Sequence, residues 1–234
     1  MILYVNGDSH TAAAEAVNSY SFAEDDPALF YMGRVPHPAN IAISWGKLLG
    51  LSLRASFHCG AESASSNQRI IRTTREWLAQ SRNQDVLVVV QWSTWEREEW
   101  LHNGTYYQVN ASGIDDVPEE LQQRYKEFVV GVDWHQCTEH WHTEIWKFHK
   151  ELESQGIPHI FFNGNTSFDR ISIQNRYDWG TSYIDPYNRA GTYTSVLQTA
   201  GHQTVAPDSY HFGKEAHSFW ANFVLQYIVR NQII

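Results

Sequence analysis

Two short segments at opposite ends of the chain carry residue types that support nucleophilic catalysis. Ser9 lies in the segment Gly7-Asp8-Ser9-His10-Thr11, and His211 follows Asp208 by three residues near the other end. A serine hydroxyl is a weak nucleophile until a histidine accepts its proton and a carboxylate orients that histidine. The sequence therefore predicts a triad in which Ser9 attacks, His211 is the base and Asp208 orients the imidazole.

Each segment also has an ordinary structural interpretation. Asp8 or Ser9 before a helix commonly caps the first free N–H groups, and the alanines that follow could start such a helix. The segment from Pro207 to Gly213 fits a turn that leads into a capped helix. The presence of both motifs at these two chain positions favours the catalytic interpretation.

The pattern of apolar residues predicts a parallel sheet that would position these segments. Asp85 to Trp92 is apolar almost throughout, which indicates a strand buried on both faces. Ser9 follows a first strand directly, at the carboxyl edge where open parallel sheets bind ligands. The predicted strands are Ile2 to Asn6, Leu51 to His58, Asp85 to Trp92, Ile157 to Asn163 and Gln203 to Ala206.

Helices are predicted between and after these strands. They are Asn67 to Gln80, Pro118 to Val130, Trp134 to Gln155 and Lys214 to Arg230, with long loops at His102 to Val117 and Asn165 to His202. Alternating strands and helices predict an α/β protein with a mostly parallel sheet of about five strands, covered by helices on both faces. The length of 234 residues suits one domain, residues 1–234, without a linker.

The terminal segments resemble those of the SGNH (GDSL-like) hydrolases. That family has Gly-Asp-Ser near the amino terminus, here Gly7 to Ser9, and Asp-x-x-His near the carboxyl terminus, here Asp208 to His211. The segment from Gly213 to Ala221 resembles the closing helix of the family. The resemblance implies a flavodoxin-like, three-layer α/β/α sandwich and a serine esterase that uses a Ser-His-Asp triad without a cofactor.

The second motif of that family supplies a backbone N–H to the oxyanion hole, the set of donors that stabilises the negative oxygen of the transition state. Ala61 to Arg72 resembles this motif, with Ala64 at the position of the family's glycine and Gly60 as an alternative donor. The resemblance implies that the N–H groups of Ser9 and Ala64 contact the oxyanion.

The third motif of the family departs further from the pattern. Gln91-Trp92-Ser93-Thr94 stands where the family has Gly-x-Asn-Asp, so the asparagine amide is missing. Asn67 or Ser93 could donate in its place. Losing one such donor costs on the order of 100- to 1,000-fold in turnover, so an inactive, non-catalytic glycan-binding module is one alternative function.

Aromatic residues after the third strand and before the terminal motif are expected to border the site. Their faces could stack on sugar rings, and core packing is the alternative interpretation. The candidates for substrate binding are Trp92, Trp95, Trp179 and Tyr187. They favour a small-molecule or glycan ester as partner, with a small, acetyl-like acyl group. A lipid or thioester hydrolase is the other alternative.

Composition narrows the class of partner. A formal charge of −9 disfavours nucleic acid, and no stretch approaches the roughly 20 apolar residues that span a bilayer. The first residues lack a basic segment followed by a long apolar one, so we expect a soluble protein without a signal peptide. It would be cytoplasmic, or released without a leader, for example on a phage particle. The oligomeric state is not indicated.

Cysteines and histidines give no sign of a metal site. Cys59 and Cys137 are too few for a disulfide framework and are expected to be free thiols. His135, His142 and His149 recur every seven residues, so neighbours would be two helical turns apart, too far for one ion. We predict no metal and no cofactor.

Overall fold

The computed structural model describes residues 1–23, 35–81, 84–111 and 117–234. Its strands are β1 (Ile2–Asn6), β2 (Ser56–Cys59), β3 (Val86–Trp92), β4 (Glu98–His102), β5 (Thr105–Val109) and β6 (His159–Asn163). Its helices are α1 (Pro38–Ile41), α2 (Trp45–Ser52), α3 (Asn67–Gln80), α4 (Gln122–Gly131), α5 (Trp134–Ser154), α6 (Tyr193–Thr199) and α7 (Lys214–Asn231). Within the described ranges, four parallel strands form a sheet in the order β2-β1-β3-β6, and β4 pairs with β5 in an antiparallel hairpin.

The strands β1, β3 and β6 are buried on both faces because their side chains alternate between two apolar cores, whereas the edge strand β2 is partly exposed. Leu3 and Val5 of β1 pack in a core with α2 and α7, whereas Tyr4 packs in the opposite core with α3 and α5. All seven residues of β3 are buried, in agreement with its unbroken apolar run. The predicted fold class is confirmed: an α/β protein with a mostly parallel sheet between two helical layers. A single domain over residues 1–234 stays a prediction.

Some predicted elements are corrected. Residues 51–52 complete α2, so the second strand begins only at Ser56. The segment predicted as a fifth strand forms no strand, because Thr204 makes only an isolated bridge with Phe212. The described parallel sheet therefore has four strands rather than about five.

The two predicted long loops contain regular structure. The first includes β5, and its residues 112–116 lie outside the described ranges. The second includes α6, which Thr192 caps through its side chain. No helix in the described part of the chain is both long enough and apolar enough to cross a membrane.

His217 joins the two helices that cover one face of the sheet. Its side chain is 1% exposed, and its Nδ1 accepts a hydrogen bond of 3.3 Å from the Trp45 N–H at the start of α2. Burial lowers the pKa of His217 to about 3, and burial lowers the pKa of His10 and His159 to about 4. These histidines are therefore neutral in the folded protein.

Acidification is expected to destabilise the fold. Between about pH 6.5, the ordinary histidine pKa, and about pH 4, the unfolded chain binds protons that the folded chain does not. The free energy of unfolding should therefore fall as the pH is lowered from 7 to 4, by up to about 1.4 kcal/mol per pH unit for each such histidine. Denaturant titrations at several pH values measure this slope. His217→Gln, which keeps an acceptor for the Trp45 N–H, should reduce it, and a flat profile would contradict the argument.

Candidate active site

The residues that follow β1 form a series of turns, not the helix that their alanines suggested. Ala13 and Glu15 have φ angles of 54° and 61°, in the left-handed region that interrupts an α-helix. The Asp8 carbonyl accepts N–H groups from residues 11 and 12, which closes the first turn. No helix follows Ser9 in the described residues up to 23, so the helix-capping interpretation of this motif is wrong.

Asp8 anchors this turn to the carboxyl end of β3. One carboxylate oxygen accepts hydrogen bonds from the His10 N–H at 3.0 Å and the Gln91 amide at 2.8 Å. The other accepts from the Ser93 hydroxyl at 3.1 Å and from the Arg97 guanidinium at 3.2 Å. Burial raises the pKa of Asp8, but the electrostatic interactions with His10 and Arg97, together with these hydrogen bonds, lower it on balance. Asp8 is therefore a buried, ionised anchor.

Gln91 is a site residue that the sequence interpretation missed. Besides its bond to Asp8, it accepts a hydrogen bond of 2.8 Å from the Thr11 hydroxyl. Glycine suits positions 7 and 164, because a Cβ at Gly7 would lie 2.5 Å from the Thr11 hydroxyl oxygen, which bonds Gln91, and one at Gly164 would overlap the Gln91 amide. The available signal was one amide side chain near the end of an otherwise apolar strand.

Removing Arg97 is expected to destabilise the protein strongly. Arg97→Met would leave Asp8 as a buried carboxylate without its cationic partner, which costs about 3–5 kcal/mol in comparable cases. Equilibrium denaturation measures this loss. Adding Asp8→Asn to the Arg97→Met variant removes the unpaired charge, so the double variant should lose less stability than the sum of the two single variants. If the stability losses of the two single variants simply add in the double variant, the ion pair contributes little to stability.

The structure pairs His211 with Glu15, and Asp208 is not its partner. Glu15 Oε2 lies 2.9 Å from His211 Nδ1 and also accepts a hydrogen bond of 2.7 Å from the Ser209 hydroxyl. Ser209 in turn accepts the His211 N–H at 3.0 Å, which closes a small ring of bonds around the imidazole. Asp208 is exposed and has no described bond to the imidazole. Its predicted role as the orienting acid is therefore corrected.

The contact with Glu15 sets the tautomer of His211. Partial burial raises the pKa of Glu15, but the hydrogen bonds from His211 and Ser209 lower it on balance, so the carboxylate is ionised and can only accept. His211 Nδ1 must therefore carry the hydrogen, and a neutral imidazole then has its lone pair on Nε2. That nitrogen makes no described hydrogen bond and is available to accept a proton.

Ser9 and His211 lie at the same edge of the sheet but are not hydrogen-bonded to each other. The ring of His10, next to Ser9 in the chain, packs edge-on against the ring of His211 with 5.6 Å between centroids. Ser9 is 9% exposed, and its hydroxyl has no described hydrogen bond. Hydrogen bonds between catalytic groups are often long without substrate and shorten only in the reacting complex.

Two backbone N–H groups remain available as oxyanion donors. Neither Ser9 nor Ala64 donates its N–H to a described acceptor, and Ala64 lies in a turn with a φ of 63°. Gly60, the alternative donor, is excluded because its N–H bonds the Val5 carbonyl at 2.8 Å.

The side chains of Asn67 and Ser93 are already engaged. Asn67 is fully buried, and its carbonyl oxygen accepts the Ser93 N–H at 2.9 Å while its amide faces the Ser93 and Thr94 carbonyls. The hydroxyl of Ser93 donates to Asp8. Both predictions of an oxyanion role are therefore corrected: these side chains fix the loop after β3, which leaves the N–H groups of Ser9 and Ala64 as the candidate donors among the described residues.

The four aromatic candidates lie in different environments. Trp92 is fully buried against Phe161, so its predicted substrate-binding role is wrong. Trp179 is 4% exposed and donates to the Tyr187 hydroxyl at 2.9 Å, which places both in a packed aromatic cluster and corrects their role. Trp95 is 3% exposed and its ring stacks on Phe168 with 4.5 Å between centroids, so it lines a pocket without a free face for a sugar, and its predicted stacking role is corrected as well.

Comparison with known proteins yields one family match. The matching model describes a family of unknown function (DUF6071) and covers residues 21–155, more than half of the chain. The chain belongs to this family. The matched range includes Ala64 and Asn67, whereas Ser9 and His211 lie outside it. No curated protein matches the chain.

Several solved structures are similar over nearly the whole chain at low identity. A member of the lipolytic protein G-D-S-L family from Veillonella parvula is 13% identical with a TM-score of 0.48, covering 98% of this chain and 99% of that one. An acetyl xylan esterase from the rumen bacterium Butyrivibrio proteoclasticus is 13% identical with a TM-score of 0.44, covering 98% and 64%. A psychrotrophic esterase from Pseudoalteromonas sp. is 11% identical with a TM-score of 0.41, covering 98% and 97%.

Proposed function

We propose that this protein is a serine esterase whose triad is Ser9, His211 and Glu15. The observation that carries the proposal is the hydrogen bond of 2.9 Å between Glu15 and His211 Nδ1, which leaves Nε2 as the basic nitrogen. The Gly-Asp-Ser motif and the Asp-x-x-His motif that resemble the SGNH hydrolases support the same assignment of nucleophile and base.

The reaction proceeds in two acyl-transfer steps. In the first, Ser9 Oγ attacks the ester carbonyl while His211 Nε2 takes the hydroxyl proton, and the tetrahedral oxyanion is stabilised by the N–H groups of Ser9 and Ala64. The protonated imidazole then gives its proton to the leaving alcohol, which departs and leaves an acyl-serine. In the second, water attacks this ester with His211 as base, which releases the acid and restores Ser9.

The carboxylate of Glu15 acts on the imidazole and not on the substrate. It holds Nδ1–H in place, so that Nε2 keeps its direction, and it stabilises the imidazolium that forms in each step. Asp8 plays no part in proton transfer, because its two oxygens are saturated by four donors and it is buried. Its role is to fix the turn that presents Ser9.

A small acyl group on a carbohydrate is the substrate class we propose. The pocket that Trp95 lines is large enough for the alcohol part of the ester. The preferred length of the acyl chain can be measured directly. A series of esters from acetyl to long acyl chains, together with a thioester, would separate an acetyl esterase from a lipid or thioester hydrolase. Rising turnover with chain length would contradict the small-acyl assignment.

Covalent labelling tests the serine mechanism directly. A fluorophosphonate probe should add one label per chain on Ser9, located by peptide mass spectrometry, and labelling should be lost in Ser9→Ala. If wild-type protein neither takes up the probe nor turns over esters, the proposal fails. A glycan-binding module that keeps this fold would then be the better interpretation.

A further inference from the structure

A pocket of about 390 Å³ lies beside the proposed active site. Asn165 lines it, and the amide of Asn165 bonds His10 Nε2 at 3.2 Å. His10 directly follows Ser9, so this hydrogen bond links the wall of the pocket to the turn that carries the proposed nucleophile. Its volume is in the range of small-molecule sites, so the alcohol part of a bound ester can extend into it.

Two arginines give this pocket a positive character. Arg170 and Arg189 both line it, both are exposed, and neither guanidinium has an ion pair or hydrogen bond with a described residue. The chain as a whole carries a formal charge of −9. Other arginines, such as Arg72 and Arg75, are paired with glutamates. Two unpaired guanidinium groups at one pocket of an acidic protein fit a carboxylate or sulfate, which a guanidinium binds with two parallel hydrogen bonds.

The remaining walls of the pocket suit a sugar ring. Trp134 is 47% exposed at the start of α5 and presents an aromatic face, on which the C–H face of a sugar can stack. The Thr166 hydroxyl is buried without a described partner, and the carboxylate of Asp169 can accept from sugar hydroxyls.

We infer that this pocket binds an acidic sugar residue of the substrate, with Arg170 and Arg189 on its carboxylate or sulfate and Trp134 against its ring. The inference rests on the proposed function for the ester bond itself. It narrows the substrate to an acylated acidic glycan, in which the sugar that carries the ester, or its neighbour, bears the negative charge.

Calorimetric titration of the Ser9→Ala protein with ester-free oligosaccharides tests the pocket without requiring hydrolysis. The probes are an oligogalacturonate, a sulfated galacto-oligosaccharide and a neutral xylo-oligosaccharide. At least one acidic probe should bind at least about tenfold more tightly than the neutral one, and its affinity should fall as salt is raised. The acidic probe that binds identifies the anion as carboxylate or sulfate.

Replacing the two arginines locates the binding site. Arg170→Gln with Arg189→Gln should weaken binding of the acidic probe by at least about tenfold, and Trp134→Ala should weaken it as well. Arg230→Gln, at the end of α7, removes one positive charge away from the pocket, so it is the matched control for each single arginine variant and should leave the affinity unchanged. Equal binding of neutral and acidic probes, no binding of either acidic probe, or equal effects of the control and the pocket variants would each overturn the inference.

The outcomes for the pocket and for the esterase are separable. If an acidic probe binds as expected but the wild-type protein neither hydrolyses esters nor takes up a fluorophosphonate, the inference about the pocket holds and the esterase proposal fails. If the protein hydrolyses a small neutral acetyl ester but binds no acidic oligosaccharide, the esterase proposal holds and the inference about the pocket fails.

Discussion

Ser9→Ala is expected to lower ester turnover by about 10⁴- to 10⁶-fold while the fold stays intact. The hydroxyl forms the covalent intermediate, and loss of the nucleophile in other serine hydrolases costs this much. The stability should change little, because Ser9 Oγ has no described hydrogen bond that the variant would break. Steady-state kinetics on an acetyl ester, with a thermal melt of both proteins, measures the two effects together.

A conservative variant sharpens this test. Ser9→Cys keeps a nucleophilic atom at the same position, so any residual activity should become sensitive to thiol reagents, whereas Ser9→Ala should not respond. A Ser9→Ala protein with wild-type turnover would contradict the serine mechanism.

Glu15→Gln is expected to lower the turnover number by up to about 10⁴-fold, with a much smaller change in KM. An amide can donate to Nδ1, which favours the tautomer with the hydrogen on Nε2 and so blocks the base, and a comparable change in a serine protease costs this much. Asp208→Asn is the matched control: the same chemical change at an exposed carboxylate that does not contact His211. It should be close to wild type.

The pair of variants decides between two assignments of the orienting acid. A large loss in Asp208→Asn with a silent Glu15→Gln would restore Asp208, which the local sequence favours. Equal, large losses in stability for both variants would indicate damage to the fold and would contradict the specific role of Glu15.

Two elements with a clear local signal were predicted to the residue. β1 and α3 have the predicted bounds, because a short apolar run that stops at glycine and a capped amphipathic helix are both local patterns. The hairpin of β4 and β5 was missed, since its residues are polar and aromatic and its own small core forms only with α4. The signal for that hairpin was Asn103-Gly104, a typical two-residue turn between strands.

The site could be predicted only where its parts are local motifs. Ser9 and His211 were selected by short motifs next to predicted elements. Glu15 could not be found in this way, because its partner lies 196 residues further along the chain and its backbone takes a left-handed conformation that favours glycine or asparagine. Asp208 was selected because a carboxylate three residues from a histidine is the nearest in sequence, whereas contact is decided by the direction of the turn.

The proposed triad is divided very unevenly along the chain. Ser9 and Glu15 belong to the first turns after β1, and the imidazole that joins them comes just before the last helix, α7. During synthesis, a nascent chain still held at the ribosome would therefore have its nucleophile and its acid in place but no base between them. On the proposed mechanism, such a chain cannot hydrolyse esters until the segment that carries His211 has emerged and packed onto the sheet. By the same geometry, a protease cut that released the segment after α6 would abolish the proposed activity, although Ser9 itself would be unchanged.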